Sequence, residues 1–477
     1  MDALRLSLKA GKRRPLIQAP TGAGKTLLAA AVVAGALAKG NRVVFVVPVL
    51  GLIDQTVETL YREGITDVGV IQADHPMTNW ARPVQVASVQ TLQRRRRPDA
   101  DVVVIDEAHR MFKFIKDWMA DPAWAKVPFI GLSATPWAKG LGKYYDELIV
   151  ASTTRELIEQ GYLSRFRVFA PAHPDLTEVR TVAGDFHEGD LSKAMDKPEL
   201  VADVVETWLR LGEDRPTLVF AVDRAHAKRL AERFENAGVL AAFQDAYTDS
   251  DERKHIAKKF RSGEIRVVCN VGTLTTGVNW DVRCIVLARP TRSEMLFVQI
   301  VGRGLRTAPG KDDCLILDHA DNHLRLGFVT DIHHAQLDDG MPKTKAVREQ
   351  AKPLPKECPK CSFLKPVKVR TCPACGFTPE VKSGIEEAEG QLVELTKHRT
   401  KIDKREKQRW YSGFLTVARE RGYRPGWAAN QYRQKIGVWP RGLDLVPAPA
   451  GQDVRNHVTA SLIRYAKRRK AQEAANA

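Results

Sequence analysis

The chain has 477 residues, 44% of them hydrophobic and 27% charged, with a net charge of +17. That length supplies two or three domains with complete cores and excludes a small disulfide-held scaffold, while the composition excludes a disordered chain. The apolar run Leu27–Ala38 is too short to span a bilayer and nothing resembles a secretory signal, so no membrane partner and a cytoplasmic location are expected.

Charge is unevenly placed. Residues 1–340 hold 45 Lys+Arg against 44 Asp+Glu, whereas residues 341–477 hold 29 against 13. This surplus predicts a polyanion partner for the final part of the chain, with an ordinary solvated surface as the alternative. Of the seven cysteines, Cys269, Cys284 and Cys314 sit in apolar runs and read as buried thiols. The other four are clustered, which is reducing-compartment usage rather than a disulfide framework.

Met1–Lys12 reads as a helix entering a strand at Pro15–Ile17. The loop Ala19-Pro-Thr-Gly-Ala-Gly-Lys-Thr26 follows, then a helix over Leu27–Ala38. Gly22 and Gly24 let backbone N–H groups close around phosphate oxygens, and the helix start adds its positive dipole end. In such a loop Lys25 reaches the β- and γ-phosphates and the Thr26 hydroxyl ligates Mg2+; Ala19 stands where the pattern has Gly. Arg42–Val47 predicts a strand buried on both faces, Leu52–Tyr61 a helix, and Val84–Leu92 another strand. Arg94–Arg97 is a surface cluster that would grip phosphate beside a nucleic-acid track. The strand Asp101–Ile105 delivers Asp106-Glu-Ala-His109 at its carboxyl end, where open α/β sheets bind ligands. There Asp106 can hold Mg2+, and Glu107 can orient and deprotonate an attacking water. The strand Pro128–Leu132 delivers Ser133-Ala-Thr-Pro136, whose small hydroxyls can sense a bound group and hydrogen-bond across an interface.

The segments Ala19–Thr26, Asp106–His109 and Ser133–Thr135, in this order, resemble motifs I, II and III of superfamily 2 helicases of the DEAH type. Ser88–Leu92 is similar to the motif whose loop touches the nucleic-acid backbone. Further on, Ala151 to about Pro198 reads as a connector with a helix near Arg155–Gln160 and a strand near Phe166–Phe169. A second alternating pattern then predicts strands at Thr217–Phe220, Arg266–Cys269 and Cys284–Ala288, and helices at His226–Ala237 and Asp251–Arg261. Asn270–Asn279 resembles motif V, with Asn279 where that motif usually has Asp. Gln299-Ile-Val-Gly-Arg303-Gly-Leu-Arg306 resembles motif VI, and its two arginines, three apart, share one helical face. From the opposite domain they would stabilise charge on the γ-phosphate. The segments Asp281–Thr291 and Cys314–His323 are similar to RadD-like bacterial repair helicases and phage relatives.

Cys358-Pro-Lys-Cys361 and Cys372-Pro-Ala-Cys375 point four thiolates at one centre, the ligand set of a structural zinc. After an acidic spacer over Gly384–Leu395, aromatics and basics interleave from Trp410 to Trp439. Helical spacing of Trp410, Phe414 and Val417 predicts that most of these aromatics form the core of a small helical unit rather than stacking platforms.

The resemblance implies two tandem RecA-like parallel-sheet α/β domains, then a zinc-ribbon-like module and a small basic helical C-terminal region. Expected boundaries are 1–170 and 199–345 for the two RecA-like domains with a linker at 171–198, then 346–383 for the zinc module and 384–477 for the tail. It further implies that Thr21, Gly22, Gly24, Lys25, Thr26, Asp106 and Gly277 bind ATP and Mg2+, and that Glu107, Gln299, Arg303 and Arg306 act in hydrolysis. His109, Ser133 and Thr135 would couple the nucleotide to the second domain, and Ser88, Thr91 and Thr273 would touch nucleic acid. The activity implied is an ATP-dependent helicase or translocase on single-stranded or branched DNA, in repair, recombination or phage replication, with single-strand-binding or other repair proteins as partners. An ATP-gated clamp without unwinding and an RNA remodeller stand as alternatives. An Arg-x-Tyr-Gln-like base-contacting segment is absent upstream of the first helix, so comparable use of ATP and GTP is expected unless this is a shortened reading of a longer gene.

Overall fold

Short runs of β-branched residues between polar loops form the strands of two parallel sheets. The computed structural model describes every residue except 73–74, 196, 276–279, 342–353, 380–402, 425 and 463–477. Its first sheet contains β1 (Pro15–Gln18), β2 (Val43–Val47), β3 (Val68–Ile71), β4 (Val84–Ser88), β5 (Val102–Ile105), β6 (Phe129–Ser133) and β7 (Glu147–Val150). Their spatial order is β3-β4-β2-β5-β6-β1-β7 and every pairing is parallel. β1 to β6 are buried along their whole length, as expected of parallel strands covered on both faces.

The next strand, β8 (Arg165–Phe169), pairs with the second sheet. The expectation of a first domain reaching residue 170 is corrected here, because β8 forms the second sheet's edge. A small hairpin, β9 (Thr181–Val182) and β10 (Asp185–Phe186), follows. The second sheet is completed by β11 (Thr217–Phe220), β12 (Ala241–Gln244), β13 (Val267–Asn270), β14 (Cys284–Leu287) and β15 (Asp313–Asp318). Its order is β12-β13-β11-β14-β15-β8, again all parallel. Cys269, Cys284 and Cys314 are buried free thiols in this sheet.

Beyond β15 the chain returns to the first sheet's lobe. Asp338 Oδ1 accepts from Gly140 N at 2.9 Å, and Asp338 O accepts from Gly142 N at 2.8 Å. A cysteine-rich hairpin then forms from β16 (Lys356–Glu357) and β17 (Leu364–Lys365). It covers the edge presented by β8: the Phe169 and Phe363 rings lie 5.3 Å apart and Ala170 N–H donates to Ser362 O at 2.9 Å. Covering that edge removes a row of unpaired backbone groups from solvent.

Contacts divide the chain into two compact units, 1–381 and 382–477. The second unit holds the helices Lys404–Glu420 and Trp427–Ile436. Trp410, Tyr411, Phe414 and Tyr432 form its buried core with Val454 and Val458, so these aromatics pack rather than stack on a ligand. Among the described residues, no helix is long and apolar enough to cross a membrane.

Candidate active site

The loop after β1 turns directly into the helix Lys25–Leu37. Gly22 and Gly24 have φ of 88° and 74°, a left-handed region that costs other L-residues about 1–2 kcal/mol. At Gly22 a Cβ would also lie 2.8 Å from Leu163 Cδ2, just ahead of β8. Gly302 matches it from the helix Glu294–Gly304, where a Cβ would lie 2.9 Å from Thr21 Cβ. Gly302 lets the arginine-bearing helix touch the phosphate loop, and Gly22 lets that loop pack against Leu163 and Arg306. Between the lobes lies a cavity of about 390 Å³ lined by Lys25, Thr26, Asp106, Glu107, Arg303 and Arg306.

Lys25 Nζ donates to Glu107 Oε1 at 2.7 Å, with both side chains largely buried. Glu107 itself has φ of 48° and donates its N–H to Asp106 Oδ1 at 2.9 Å. Burial raises the Asp106 carboxyl above its ordinary value, opposed by Lys25 and reinforced by Glu107. Burial acts the same way on Glu107, but Lys25 above all, with Arg303, outweighs it and holds that carboxyl low. The two adjacent acids are therefore pushed apart: Glu107 has its cations, while Asp106 is a buried acid whose charge a divalent ion would compensate. With the Thr26 hydroxyl in the same cavity, this donor set fits Mg2+ beside phosphate. Glu107 Oε2 is enclosed, accepts no hydrogen bond from the described residues, and lies 3.4 Å from His109 Nδ1.

A chain of hydrogen bonds crosses from one lobe to the other. His109 Nδ1 lies 2.9 Å from Ser133 Oγ, and Ser133 Oγ accepts from Thr135 N at 3.0 Å. Gln299, on the second lobe's helix, donates from Nε2 to Thr135 Oγ1 at 3.1 Å and lies 3.3 Å from His109 Nε2. Burial lowers His109 to about 4, so its ring is neutral at pH 7. Arg303 donates from Nε and Nη2 to Thr275 O at 2.9 and 2.6 Å. Burial and the repulsion of Arg306 lower it to about 9, which leaves a poorly solvated cation at neutral pH.

The remaining expected residues fare differently. Gly277 and Asn279 lie outside the described residues. Ser88 is buried; it ends β4 and caps the short helix Val89–Leu92 by accepting from Thr91 N at 3.2 Å. The strand expected to run to Leu92 stops there, and the Ser88 hydroxyl also lies 3.0 Å from Thr91 Oγ1. Thr91 is half-buried, and Thr273 Oγ1 is enclosed with no partner among the described residues. Of the arginine cluster, Arg97 is drawn into an ion pair with Asp121 at 2.5 Å, leaving Arg94, Arg95 and Arg96 exposed. The cavity also reaches Gln55, Arg62 and the exposed Tyr162, none of which sequence reasoning singled out. No motif marks them; only the fold brings them there.

The four cysteine sulfurs lie within 4.8 Å of one another, with Cys358 and Cys375 at 3.7 Å and Cys361 and Cys372 at 3.7 Å. A tetrahedron of Zn–S bonds of about 2.3 Å has edges of about 3.8 Å, so these four thiols fit zinc.

Residues 1–138 match the family described as type III restriction enzyme, res subunit, and residues 196–308 match the helicase conserved C-terminal domain. A 51.5 kDa protein of a Lactococcus phage is 28% identical over 81% of this chain and 84% of its own length. The provisionally named ATP-dependent helicase IRC3 of Saccharomyces cerevisiae is 34% identical over 49% of this chain, but the match takes in only 37% of the yeast protein. A fragment of a provisionally assigned HsdR subunit of a type I restriction enzyme from Vibrio vulnificus aligns over 71% of this chain and 64% of its own, at 23% identity and a TM-score of 0.53. That likeness concerns the fold, two RecA-like domains in tandem. A restriction-type motor domain followed by a helicase C-terminal domain is the arrangement of the superfamily 2 helicases, and the chain belongs to that family of ATP-hydrolysing enzymes.

Proposed function

We propose that this protein is a DNA helicase or translocase that couples ATP hydrolysis between its two sheets to movement along DNA. The observation that carries the reading is the cavity in which the Lys25 loop and the Asp106–Glu107 pair meet Arg303 and Arg306 from the other lobe. ATP seated there would draw Lys25 from Glu107 onto its phosphates. Thr26 and Asp106 would hold Mg2+, which neutralises phosphate charge. Glu107, freed from Lys25 and with Oε2 enclosed beside His109, would take the proton of the attacking water. Arg303 and Arg306 would neutralise charge on the transferring γ-phosphate. The hydrogen-bonded path His109–Thr135–Gln299 would report nucleotide state to the second lobe, so ATP favours closure and its products favour opening. DNA is preferred over RNA because the matched motor family is named for restriction enzymes, which act on DNA.

The test is release of a labelled strand from forked DNA and from a matching RNA duplex. The reading requires ATP-dependent release from DNA that Lys25→Ala abolishes. ATP-dependent binding without release would point to a clamp, and faster release from RNA to an RNA remodeller.

We assign the four cysteines to one structural zinc, because all four positions of a tetrahedron are filled and no place remains for a reacting water. Protein purified under reducing conditions should carry one zinc per chain by metal analysis. Cys358→Ser should lose it and destabilise the hairpin against β8, while basal ATP turnover stays within about threefold, since the site lies on the sheet edge.

The basic tail should supply much of the DNA grip. Residues 382–477 carry 20 Lys+Arg against 10 Asp+Glu. A chain ending at Val381 keeps the hairpin that covers β8, so it should keep its ATP turnover. Its DNA affinity should fall, and the slope of log affinity against log salt should flatten by roughly one for each phosphate that the tail no longer neutralises. The weakening should be similar across DNA sequences, because a grip on phosphate carries no base information. Equal affinity with an unchanged slope would make the tail a docking surface for a protein instead.

A further inference from the structure

We infer that Lys311 is the residue that positions Arg306 for ATP hydrolysis. The inference rests on the ATP-hydrolysing reading of the cavity above.

The helix that carries Arg303 ends at Gly304, so Arg306 lies two residues beyond it, bridged to Leu163. The expected shared helical face of the two arginines is corrected accordingly. The helix's last carbonyls have no partners within it. Lys311 returns beneath that end from the turn before β15. Its Nζ donates to Gly304 O at 2.6 Å, to Arg306 O at 2.6 Å and to Val282 O, just before β14, at 2.8 Å. All three ammonium protons are thus spent on backbone oxygens in a largely buried place. The carbonyl between, Leu305 O, accepts from Ser164 N at 2.7 Å, and Ser164 Oγ donates to Arg306 O at 3.2 Å. Three successive carbonyls at the helix end are therefore held, two of them by one cation.

This matters because a helix carboxyl end is the negative pole of its dipole and attracts cations. Two arginines within a turn of that end could fold back onto those same carbonyls. Lys311 occupies the acceptors first, so the guanidiniums are not needed there. It also ties the Arg306 backbone to β14 through Val282. The Arg306 side chain starts from that fixed point and passes the phosphate loop, where a Cβ on Gly22 would lie 3.4 Å from Arg306 Cγ. Gly304 completes the arrangement: any side chain there would collide with Cys314 and Ile285 beneath the helix.

Lys311 does not line the nucleotide cavity. It acts through Arg306, and that separates it from a residue that merely stabilises the fold. The test is a double-mutant cycle on ATP turnover with the unmodified protein, Lys311→Met, Arg306→Ala and the pair. Arg306→Ala alone should lower kcat by about 10³-fold, as loss of an arginine finger does. Lys311→Met alone should lower kcat by about 10-fold or more, with KM for ATP changed by less than about 3-fold. In the Arg306→Ala background the same change should cost less than about 2-fold, because the group it positions is gone. An equal cost in both backgrounds, or no cost in the unmodified background, would overturn the positioning role. If Lys311→Met is unfolded by circular dichroism, Lys311→Gln, which keeps a shorter donor, is read by the same outcomes. Loss of fold in both would make Lys311 structural and overturn the inference. Absence of turnover in the unmodified protein would instead refute the ATP-hydrolysing reading itself.

Discussion

Glu107→Gln should abolish steady-state ATP turnover while leaving a protein that still binds ATP. A positioned general base contributes about 10²–10⁴-fold to rate, and the amide cannot accept the water's proton. Binding should survive for a reason visible in the site. Lys25 Nζ is held by Glu107 Oε1 at 2.7 Å and must leave it to reach phosphate. The neutral amide holds Lys25 less firmly, so the variant should bind ATP at least as tightly as the unmodified protein. Fluorescent-nucleotide titration and phosphate release, measured on the same sample, separate the two effects. Normal turnover in this variant would remove Glu107 from its proposed role.

Arg303→Lys should be nearly as damaging, although it keeps the charge. Arg303 uses two nitrogens of its planar fork on Thr275 O, and so ties the helix Glu294–Gly304 to the loop after β13. A lysine ammonium is a single, more strongly hydrated point that cannot reproduce that fork, and burial here already disfavours the cation. Loss of the arginine's contact with the transferring phosphoryl group costs about 10³-fold or more in kcat. KM should change far less, because Lys25 and the glycine loop remain to bind the phosphates. A fall in affinity without a fall in kcat would instead make Arg303 a ground-state phosphate ligand.

The parts of the candidate site stand out in the sequence because they are loops at strand ends with few chemical solutions. The glycines at 22 and 24, the acids at 106 and 107, and the arginines at 303 and 306 converge on one cavity. What sequence reading lacked is long-range placement. β8 reads as part of a connector, yet it forms the edge of the second sheet because β15 offers an unpaired side. The strands β3, β7 and β12 lie at sheet edges, and β7 and β12 are only partly buried, so burial marks them less clearly than the inner strands. Ser88 has the residue type of a ligand contact, but in the fold that hydroxyl goes to capping four residues of helix. Arg97 lies in a surface-looking cluster and is claimed by Asp121, 24 positions on. In each case a tertiary partner decides the outcome, and local pattern cannot name it.

ATP chemistry between the two sheets should answer to nucleic acid. ATP turnover by the full chain, measured with no nucleic acid, with single-stranded DNA, with forked DNA and with RNA, tests it most directly. Turnover should be low alone, rise at least about 10-fold with DNA, and vanish with Lys25→Ala in every condition. Turnover that is unchanged by any nucleic acid would contradict the claim.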